Sequence, residues 1–249
     1  MYHTCIFDLY GTLIDIHTDE DQMVLWEKLA LFLSYYGVFY SAVELQEVYL
    51  KIVREMQSGK DLLRNDKHEA YPEIQIEQVF LKIFQRKQVE IGLDLAVLVG
   101  QFFRVLSTEY IKLYKGTISM LEELKRAGKH LYLLSNAQRI FALYEMKALG
   151  IEEYFEGILI SSDFAYKKPD SRFFEELIGR YKIERDTAIM IGNDGVCDIM
   201  GARKAGLHTL YVHSNLSPKK EQVQADYVLE RMDMKKIGEI LLGKSERFI

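Results

Sequence analysis

From residue 117 onward, helical segments alternate along the sequence with short apolar segments of strand character. The apolar segments, such as KHLYLLSN, EGILISSD and TAIMIGND, are rich in Ile and Leu, which is typical of strands covered on both faces. The helical segments between them end in glycines, which favour a left-handed C-cap. This alternation predicts an α/β fold with a doubly wound, Rossmann-like parallel sheet, to which HTCIFDLY adds one strand.

The region from residue 17 to about 112 has a different pattern, because its apolar residues recur at spacings of three and four. We expect helices here and no strand, with a second helix pair over about 75–91 and 94–112. The polar stretch SGKDLLRNDKHEAYPE, residues 58–73, is predicted to be a long connection. The predicted domains are a core of residues 1–15 and 113–249 and an inserted four-helix domain of residues 16–112.

Composition and charge exclude several classes of protein. A formal net charge of -5 argues against a nucleic-acid partner, because phosphate backbones bind clustered Lys and Arg. The two cysteines, Cys5 and Cys197, lie far apart without a paired metal-ligand spacing, which favours a reducing compartment. The amino terminus lacks the features of a leader, and no apolar run approaches the roughly 20 residues that span a bilayer. We therefore expect a cytoplasmic protein without a membrane partner.

Polar residues stand at or just after the apolar ends of the predicted strands. In chain order these residues are Asp8, Ser135, Asn136, Lys168, Asp194 and Asp198. In an open parallel sheet, ligands bind beyond the carboxyl ends of the strands, near the point where the strand order reverses. We therefore expect these side chains to converge on one site.

Carboxylates, a hydroxyl and an ammonium group together suit a phosphorylated ligand. Mg²⁺ prefers oxygen ligands and keeps several waters and a substrate phosphate oxygen, so the acids predict an Mg²⁺ site. Ser135, the amides that follow it and Lys168 are expected to hold the remaining phosphoryl oxygens. Asp8 is then free to attack phosphorus and form an acyl phosphate, which divides one difficult displacement into two easier steps.

Four stretches, FDLYGTL, LLSNAQ, KKPDSRFF and IGNDGVCDIMGARKAG, resemble in order and spacing the four motifs of the haloacid dehalogenase superfamily of phosphatases and dehalogenases. The resemblance covers the whole chain and implies that the helical insertion is this superfamily's cap. It implies hydrolysis of a small phosphorylated substrate, with Mg²⁺ as cofactor. The implied roles are Asp8 as nucleophile, Thr12, Ser135, Asn136 and Lys168 on the phosphoryl group, Asp8, Asp194 and the Tyr10 main-chain carbonyl as metal ligands, and Asn193 and Asp198 as supporting groups.

Tyr10 departs from the phosphatase pattern, which places a second aspartate two residues after the nucleophile as general acid and base. A phenol with an unperturbed pKa near 10 is a poor substitute at pH 7, and proton transfer typically contributes roughly 10²- to 10⁴-fold. His17, a few residues further on, is one substitute proton donor, although an exposed hinge residue is the simpler interpretation.

An aromatic residue at this position also resembles the L-2-haloacid dehalogenases, which use no metal. Those enzymes carry an arginine early in the cap, whereas the first arginine here is Arg54. They also have a tyrosine where this chain has Phe174, and a neutral residue where it has Asp194. These differences favour a metal-dependent phosphatase. Two alternatives stay open, a metal-independent dehalogenase and a weakly active or noncatalytic phosphate-binding relative, and the sequence indicates no oligomeric state.

Overall fold

A parallel sheet forms the centre of the structure, a computed structural model that describes residues 2–58, 73–164, 166–218 and 223–244. The strands in these residues are β1 (Thr4–Phe7), β2 (Ile14–Thr18), β3 (Thr108–Leu113), β4 (His130–Ser135), β5 (Gly157–Ile160), β6 (Ala188–Gly192), β7 (His208–Val212) and β8 (Tyr227–Leu229). Six of them pair in parallel in the order β5–β4–β1–β6–β7–β8. The predicted α/β fold with a parallel sheet is confirmed.

Helices cover both faces of this sheet. The described helices are α1 (Met23–Tyr35), α2 (Ala42–Ser58), α3 (Ile76–Gln85), α4 (Leu93–Ser107), α5 (Thr117–Arg126), α6 (Arg139–Ala148), α7 (Ser171–Tyr181), α8 (Gly201–Lys204) and α9 (Met234–Leu241). Cys5 and Phe7 of β1 pack in one cluster with α5, α6 and α9. Ile6, between them, packs in a second cluster with α7 and α8. Burial on both faces explains why the strands are continuous apolar runs.

The strand β1 occupies the centre of the sheet, between β4 and β6. The chain extends the sheet from β1 through β4 to β5, and then returns to the other side of β1 with β6. The strand order therefore reverses at β1, and the crevice beyond its carboxyl end is the expected ligand site. Phe7 pairs in register with Leu133 of β4 and Ile191 of β6, so Asp8 lies level with the ends of both neighbouring strands.

The helices α1–α4 lie between β2 and β3 in sequence and have a hydrophobic cluster of their own. Its buried side chains include Trp26, Phe80 and Phe103. Ile140 and Phe141 of α6 join the same cluster, so the inserted helices pack onto the core at that point. Four helices are described in the insert, while most of the connection predicted over residues 58–73 lies outside the described residues. None of the described helices is long and apolar enough to cross a membrane.

A two-stranded antiparallel ribbon, β2 with β3, joins the insert to the core. The prediction of a helix over 94–112, in a region without strands, is wrong at its end, because α4 stops at Ser107 and β3 follows. The segment TEYIKL contains β-branched and aromatic residues that favour strands, and its pairing with distant β2 decides the conformation. The predicted domain boundaries, after residues 15 and 112, fall inside this ribbon.

Candidate active site

The polar residues at the ends of β1, β4 and β6 surround one small cavity of about 180 Å³. They meet because these three strands are neighbours in the sheet. The cavity is lined by Asp8, Tyr10, Ser135, Asn136, Lys168, Asn193, Asp194, Cys197, Asp198, Leu216 and Pro218. The structure thus brings the predicted site residues together around one cavity, and Thr12, which is fully buried, lies within hydrogen-bond distance of Asp8.

Lys168 is the buried positive charge of the site. Its nitrogen Nζ donates hydrogen bonds of 2.7 Å to Asp8 Oδ1, to Asp198 Oδ1 and to the carbonyl oxygen of Leu134. Burial alone would lower the pKa of Lys168, but the charges of Asp198 and Asp8 raise it above its usual value. Burial raises the pKa of Asp198, while the ammonium group of Lys168 opposes this rise and the charge of Asp8 adds to it. Lys168 therefore stays positive, and it fixes the orientation of Asp8.

The tight turn after β1 depends on Gly11, which has a φ of +83°. A Cβ atom at this position would lie 2.4 Å from Nδ2 of Asn193, so a side chain would also clash with the loop after β6. The next residue, Thr12, places its Oγ1 atom 3.3 Å from both Asp8 Oδ2 and Asn193 Oδ1. The Gly-Thr pair thus lets the two loops pack together and sets a hydroxyl group beside Asp8.

Asn136 and Ser135 follow each other in sequence but differ in how their polar atoms are used. The Nδ2 atom of Asn136 donates to the Lys168 carbonyl oxygen at 2.9 Å, and its Oδ1 accepts from the Lys168 main-chain N–H at 2.8 Å. Asn136 therefore ties the loop after β4 to the loop that carries the lysine. The Ser135 hydroxyl is buried and has no hydrogen-bond partner among the described residues. Such an unsatisfied group costs about 1–3 kcal/mol, so Ser135 offers a position for a ligand oxygen.

Asp194 and Asp198 organise the turn after β6. Asp194 Oδ1 accepts two main-chain N–H groups and caps the π-helical turn Gly195–Met200. Asp198 Oδ2 accepts from the Asp194 main-chain N–H at 2.9 Å. A Cβ atom at Gly192 would lie 2.3 Å from the Asp198 carboxyl group, so glycine is needed for this close approach. The four-residue spacing of the two acids thus brings both of them to the cavity wall.

Asp8, Asp194 and the main-chain carbonyl of Tyr10 are the predicted Mg²⁺ ligands. In the described part of the chain, no group of three or more His, Cys, Asp or Glu side chains could hold a metal ion. A cage made from protein side chains alone is therefore absent there. Mg²⁺ often binds through only one or two carboxylates and keeps water and phosphate oxygens at its other positions. Because Asp8 and Asp194 line the same cavity, the donor set fits an ion that the substrate completes.

The hydroxyl group of Tyr10 contacts a partly buried ion pair. It donates to Glu145 Oε2 at 2.5 Å, and Glu145 also accepts from Arg104 Nε at 2.7 Å and Nη2 at 3.3 Å. Burial, reinforced by the charge of Glu145, raises the pKa of Tyr10 well above its usual value. Tyr10 therefore stays protonated and donates its hydrogen bond to Glu145, so it is unsuited to general acid or base chemistry at neutral pH.

A larger cleft of about 620 Å³ opens beside the small cavity, between the inserted helices and the core. The two spaces share Tyr10, Asn136 and Leu216. The polar side chains of the cleft wall include His17, Glu20, Glu73, Arg104, Gln138 and Lys167. A ligand whose phosphoryl group fills the small cavity would place the rest of the molecule in this cleft.

Arg104 and Glu145 are the site residues that sequence reasoning missed. The guanidinium carbon of Arg104, in the last turn of α4, lies 5.5 Å from the centre of the Tyr10 ring. Arg54, the first arginine in the sequence, is exposed and donates to the Leu50 carbonyl oxygen on its own helix. The only sequence signal for Arg104 is a charge within the apolar segment QFFRVLS, because its partners lie far away in the chain.

The sequence and the fold match proteins of one family. The model described as haloacid dehalogenase-like hydrolase matches residues 42–212. The chain is 33% identical over 104 residues to a glyceraldehyde 3-phosphate phosphatase of Methanothermobacter thermautotrophicus, covering 42% of this chain and 46% of that protein. It is 29% identical over 114 residues to a phosphoserine phosphatase of Thermus thermophilus, covering 46% of each. The chain thus spans about half the length of these curated relatives.

A solved structure is similar over nearly the whole chain. The 2-haloacid dehalogenase from Pseudomonas syringae pv. Tomato DC3000 has a TM-score of 0.64 at 20% identity, covering 98% of this chain and 100% of that chain. At this identity the likeness concerns the fold alone. It extends over the sheet and the inserted helices together.

Proposed function

The chain belongs to the haloacid dehalogenase-like hydrolase family, and from that premise we propose that it hydrolyses a small phosphomonoester or acyl phosphate through an aspartyl-phosphate intermediate. The observation that carries this proposal is the Ser135 hydroxyl, a buried oxygen that has no hydrogen-bond partner in the described part of the chain and lies on the cavity that also contains Asp8 and Lys168. A phosphoryl oxygen would accept the hydrogen bond that this hydroxyl lacks. The relatives named as phosphatases of glyceraldehyde 3-phosphate and phosphoserine support the same class of reaction.

In the proposed reaction, a carboxylate oxygen of Asp8 attacks phosphorus and the bond from phosphorus to the leaving oxygen breaks. Water then attacks the phosphorus of the aspartyl phosphate, the bond to Asp8 breaks, and inorganic phosphate is released. Ser135 and Lys168 hold phosphoryl oxygens through both steps, while Lys168 keeps Asp8 oriented by its 2.7 Å hydrogen bond. Asn136 contributes by fixing the main chain of Lys168.

Mg²⁺ is the proposed cofactor, with Asp8, Asp194 and the main-chain carbonyl of Tyr10 as the groups that would hold it. When bound, it supplies positive charge against the phosphoryl oxygens. Asp198 supports this arrangement from the main chain of Asp194, and Asn193 supports it through Thr12.

Residues 16–112 act in this proposal as a cap on a core of residues 1–15 and 113–249. The large cleft is lined by residues of both parts, so the leaving group of the substrate is selected where cap and core meet. A closed cap would also exclude water from the phosphoryl group. The identity of the substrate is therefore decided by the cleft rather than by the small cavity.

Phosphate release tests the proposal directly. Purified protein is incubated with p-nitrophenyl phosphate and with acetyl phosphate, each in Mg²⁺ or in EDTA. We expect turnover with Mg²⁺, little in EDTA, and none from a folded Asp8→Asn variant. Binding of inorganic phosphate without turnover of either substrate would contradict catalysis and indicate a phosphate-binding relative.

Metal-independent dehalogenation is the second candidate, because Tyr10 and Arg104 meet beside the cavity that contains Asp8. Against it, Asp194 adds a carboxylate to the same cavity, where an anionic haloacid would be repelled. Chloride release from 2-chloropropionate in EDTA separates the two reactions. Turnover under that condition would replace the phosphatase proposal.

A further inference from the structure

An alkyl phosphate needs a proton for its leaving oxygen, and Tyr10 does not provide one. Its hydroxyl group donates to Glu145, which is not among the residues that line the large cleft. Within the described residues, the carboxyl and imidazole groups that do line this cleft belong to His17, Glu20 and Glu73. These three side chains face the space that the leaving group would occupy.

Both carboxylate oxygens of Glu73 accept hydrogen bonds, and two of these bonds join the insert to the core. Its Oε1 atom accepts from the Ile74 main-chain N–H at 3.1 Å and from Gln138 Nε2 at 3.2 Å. Its Oε2 atom accepts from the Ser161 hydroxyl at 2.7 Å. These hydrogen bonds to both carboxylate oxygens hold the side chain of Glu73 against Ile74, Gln138 and Ser161, so it is not free to reach a leaving oxygen.

The imidazole ring of His17 contacts two residues of the β3 strand of the ribbon. Its side chain is 53% exposed, and its Nε2 atom lies 3.7 Å from a carboxylate oxygen of Glu109. The imidazole ring also stacks on the ring of Tyr110, its partner in β3. Both contacts are with residues of β3, so the ring is held against the ribbon.

Main-chain hydrogen bonds on both sides of Glu20 hold this residue at the cleft. The main-chain N–H of the preceding residue, Asp19, donates to the Ser107 carbonyl oxygen at 2.8 Å. The carbonyl oxygen of Glu20 itself accepts from the indole N–H of Trp26 at 2.8 Å, and Trp26 is fully buried. The backbone is thus fixed at a residue that lines the cleft together with Tyr10 and Arg104, and the charge of Arg104 acts on the Glu20 carboxyl group.

We propose that Glu20 is the general acid and base of this enzyme, a proposal that rests on the phosphatase function above. In the first step Asp8 attacks phosphorus, the bond to the leaving oxygen breaks, and the proton of the Glu20 carboxyl group passes to that oxygen. In the second step water attacks phosphorus, its proton returns to Glu20, and the bond to Asp8 breaks. Protons, charges and bonds balance over the two steps without a further reactant.

The surroundings of Glu20 suit this role. Glu20 as a whole residue is exposed, but partial loss of water around its carboxyl group raises the pKa of Glu20, an effect that Arg104 opposes and neighbouring Asp21 reinforces. Tyr49 of α2 is buried and lines the same cleft, and the charge of Glu20 contributes to the raised pKa of its phenol. A carboxyl group with a raised pKa holds its proton closer to neutral pH, as a general acid requires.

The test compares substrates that differ in their need for a proton. Wild type, Glu20→Gln, His17→Gln and Glu27→Gln are assayed in Mg²⁺ with acetyl phosphate, ethyl phosphate and glycerol 2-phosphate. Glu27 is exposed on α1 and is not a lining residue of the cleft, so it is the matched control. Circular dichroism and thermal unfolding establish that each variant is folded.

We expect Glu20→Gln to lower kcat/KM for the alkyl phosphates by about 10²- to 10⁴-fold. Its kcat/KM for acetyl phosphate should stay at the wild-type value, because that parameter reports the first step and acetate leaves without a proton. Its kcat for acetyl phosphate should fall, because the second step lacks the base. Intact-protein mass spectrometry should then detect accumulated aspartyl phosphate in this variant, and the Glu27→Gln control should show none of these effects.

Three results would overturn the role of Glu20. One is an equal loss of kcat/KM on acetyl and alkyl phosphates, which would indicate a structural effect. Another is the same selective loss in His17→Gln but not in Glu20→Gln. The third is a wild-type protein that hydrolyses acetyl phosphate and no alkyl phosphate, since it would possess no general acid. Failure of wild type on acetyl phosphate and p-nitrophenyl phosphate would instead refute the proposed function.

Discussion

The small cavity and the large cleft beside it are built in different ways. The cavity takes its polar groups from the ends of β1, β4 and β6 and from the lysine loop, and its central charge, Lys168, is 1% exposed. The cleft takes its walls from the insert, the β2–β3 ribbon and the core, and it is more than three times larger. Sheet topology thus determines where the polar groups of the cavity meet, whereas the packing of the insert determines the walls of the cleft.

Replacement of Lys168 tests the cavity most severely. Lys168→Met removes the cation between Asp8 and Asp198 and leaves two buried carboxylates without their partner. We expect loss of phosphatase activity and a decrease of about 3–5 kcal/mol in the free energy of unfolding, measured by urea denaturation. Lys167→Met, one residue earlier, should retain the wild-type stability. A stable Lys168→Met variant would mean that the three charges are not coupled.

Two buried serines are expected to differ in what their substitution changes. Ser135 has no hydrogen-bond partner among the described residues and should affect activity, whereas Ser161 bonds residues of the cleft wall and should affect stability. Ser135→Ala removes an unpartnered hydroxyl group, so stability should stay the same or rise, while kcat/KM falls by about 10²- to 10³-fold as in the loss of an oxyanion donor. Ser161→Ala removes the hydroxyl that bonds Glu73 and the main chain of Ala137. We expect it to lower stability by about 1–3 kcal/mol. Equal destabilisation by both substitutions would remove the distinction.

The difference in construction between the small cavity and the large cleft explains which site residues the sequence can predict. Asp8, Ser135 and Asp194 were found because each stands at the end of an apolar strand, and parallel strands bring such positions to one edge. The spacing of Asp194 and Asp198 also corresponds to a turn that the structure contains. These signals are local, because each depends only on a strand and on the residues that directly follow it.

The residues of the cleft carry no comparable signal. Arg104 meets Glu145 across 41 positions, and Glu145 meets Tyr10 across 135, with no repeated spacing to indicate either contact. The strand β3 was predicted as helix for the same reason, since its partner β2 lies about 90 residues away and local propensity does not include it. Contacts between an insert and a core depend on tertiary packing. Local propensity and residue spacing, which can be taken from a single sequence, do not indicate these contacts.

A substitution in the Arg104–Glu145 ion pair, which contacts the Tyr10 hydroxyl, tests whether stability depends on such long-range contacts. Glu145→Gln removes the charge that binds Arg104 and weakens the hydrogen bond from Tyr10. Because both side chains of the pair are less than one-fifth exposed, we expect a loss of about 1–3 kcal/mol in unfolding free energy. Glu44→Gln, which breaks the exposed pair with Lys87, should cost less than about 1 kcal/mol. Equal costs would show that the pair at Tyr10 behaves as a surface pair.

The smallest expected effect concerns Asp15, in the ribbon between the two regions. Asp15 Oδ1 accepts from Asn215 Nδ2 at 2.8 Å and from the Tyr110 hydroxyl at 3.2 Å, and Oδ2 lies 3.3 Å from Lys112 Nζ. Burial alone would raise the pKa of Asp15, but hydrogen bonds from Asn215, Lys112 and Tyr110 lower it below its usual value. The carboxylate therefore stabilises the fold fully above the unfolded-state pKa, about 3.9, and this contribution is lost as the pH falls through the lower folded-state pKa.

Asp15→Asn should accordingly reduce the free energy of unfolding at pH 7 by less than about 1 kcal/mol, since Lys112 is largely exposed and the pair is screened by solvent. The difference from wild type should stay constant down to about pH 5 and shrink toward pH 3, as wild type loses its charged Asp15. Urea denaturation at pH 7, 5, 4 and 3 measures this, with the exposed Glu27→Gln substitution on α1 as control. Because the ribbon joins the insert to the core without lining the small cavity, kcat/KM for acetyl phosphate should not change. A stability difference that is the same at every pH would mean that the ribbon depends on the shape of Asp15 and not on its charge.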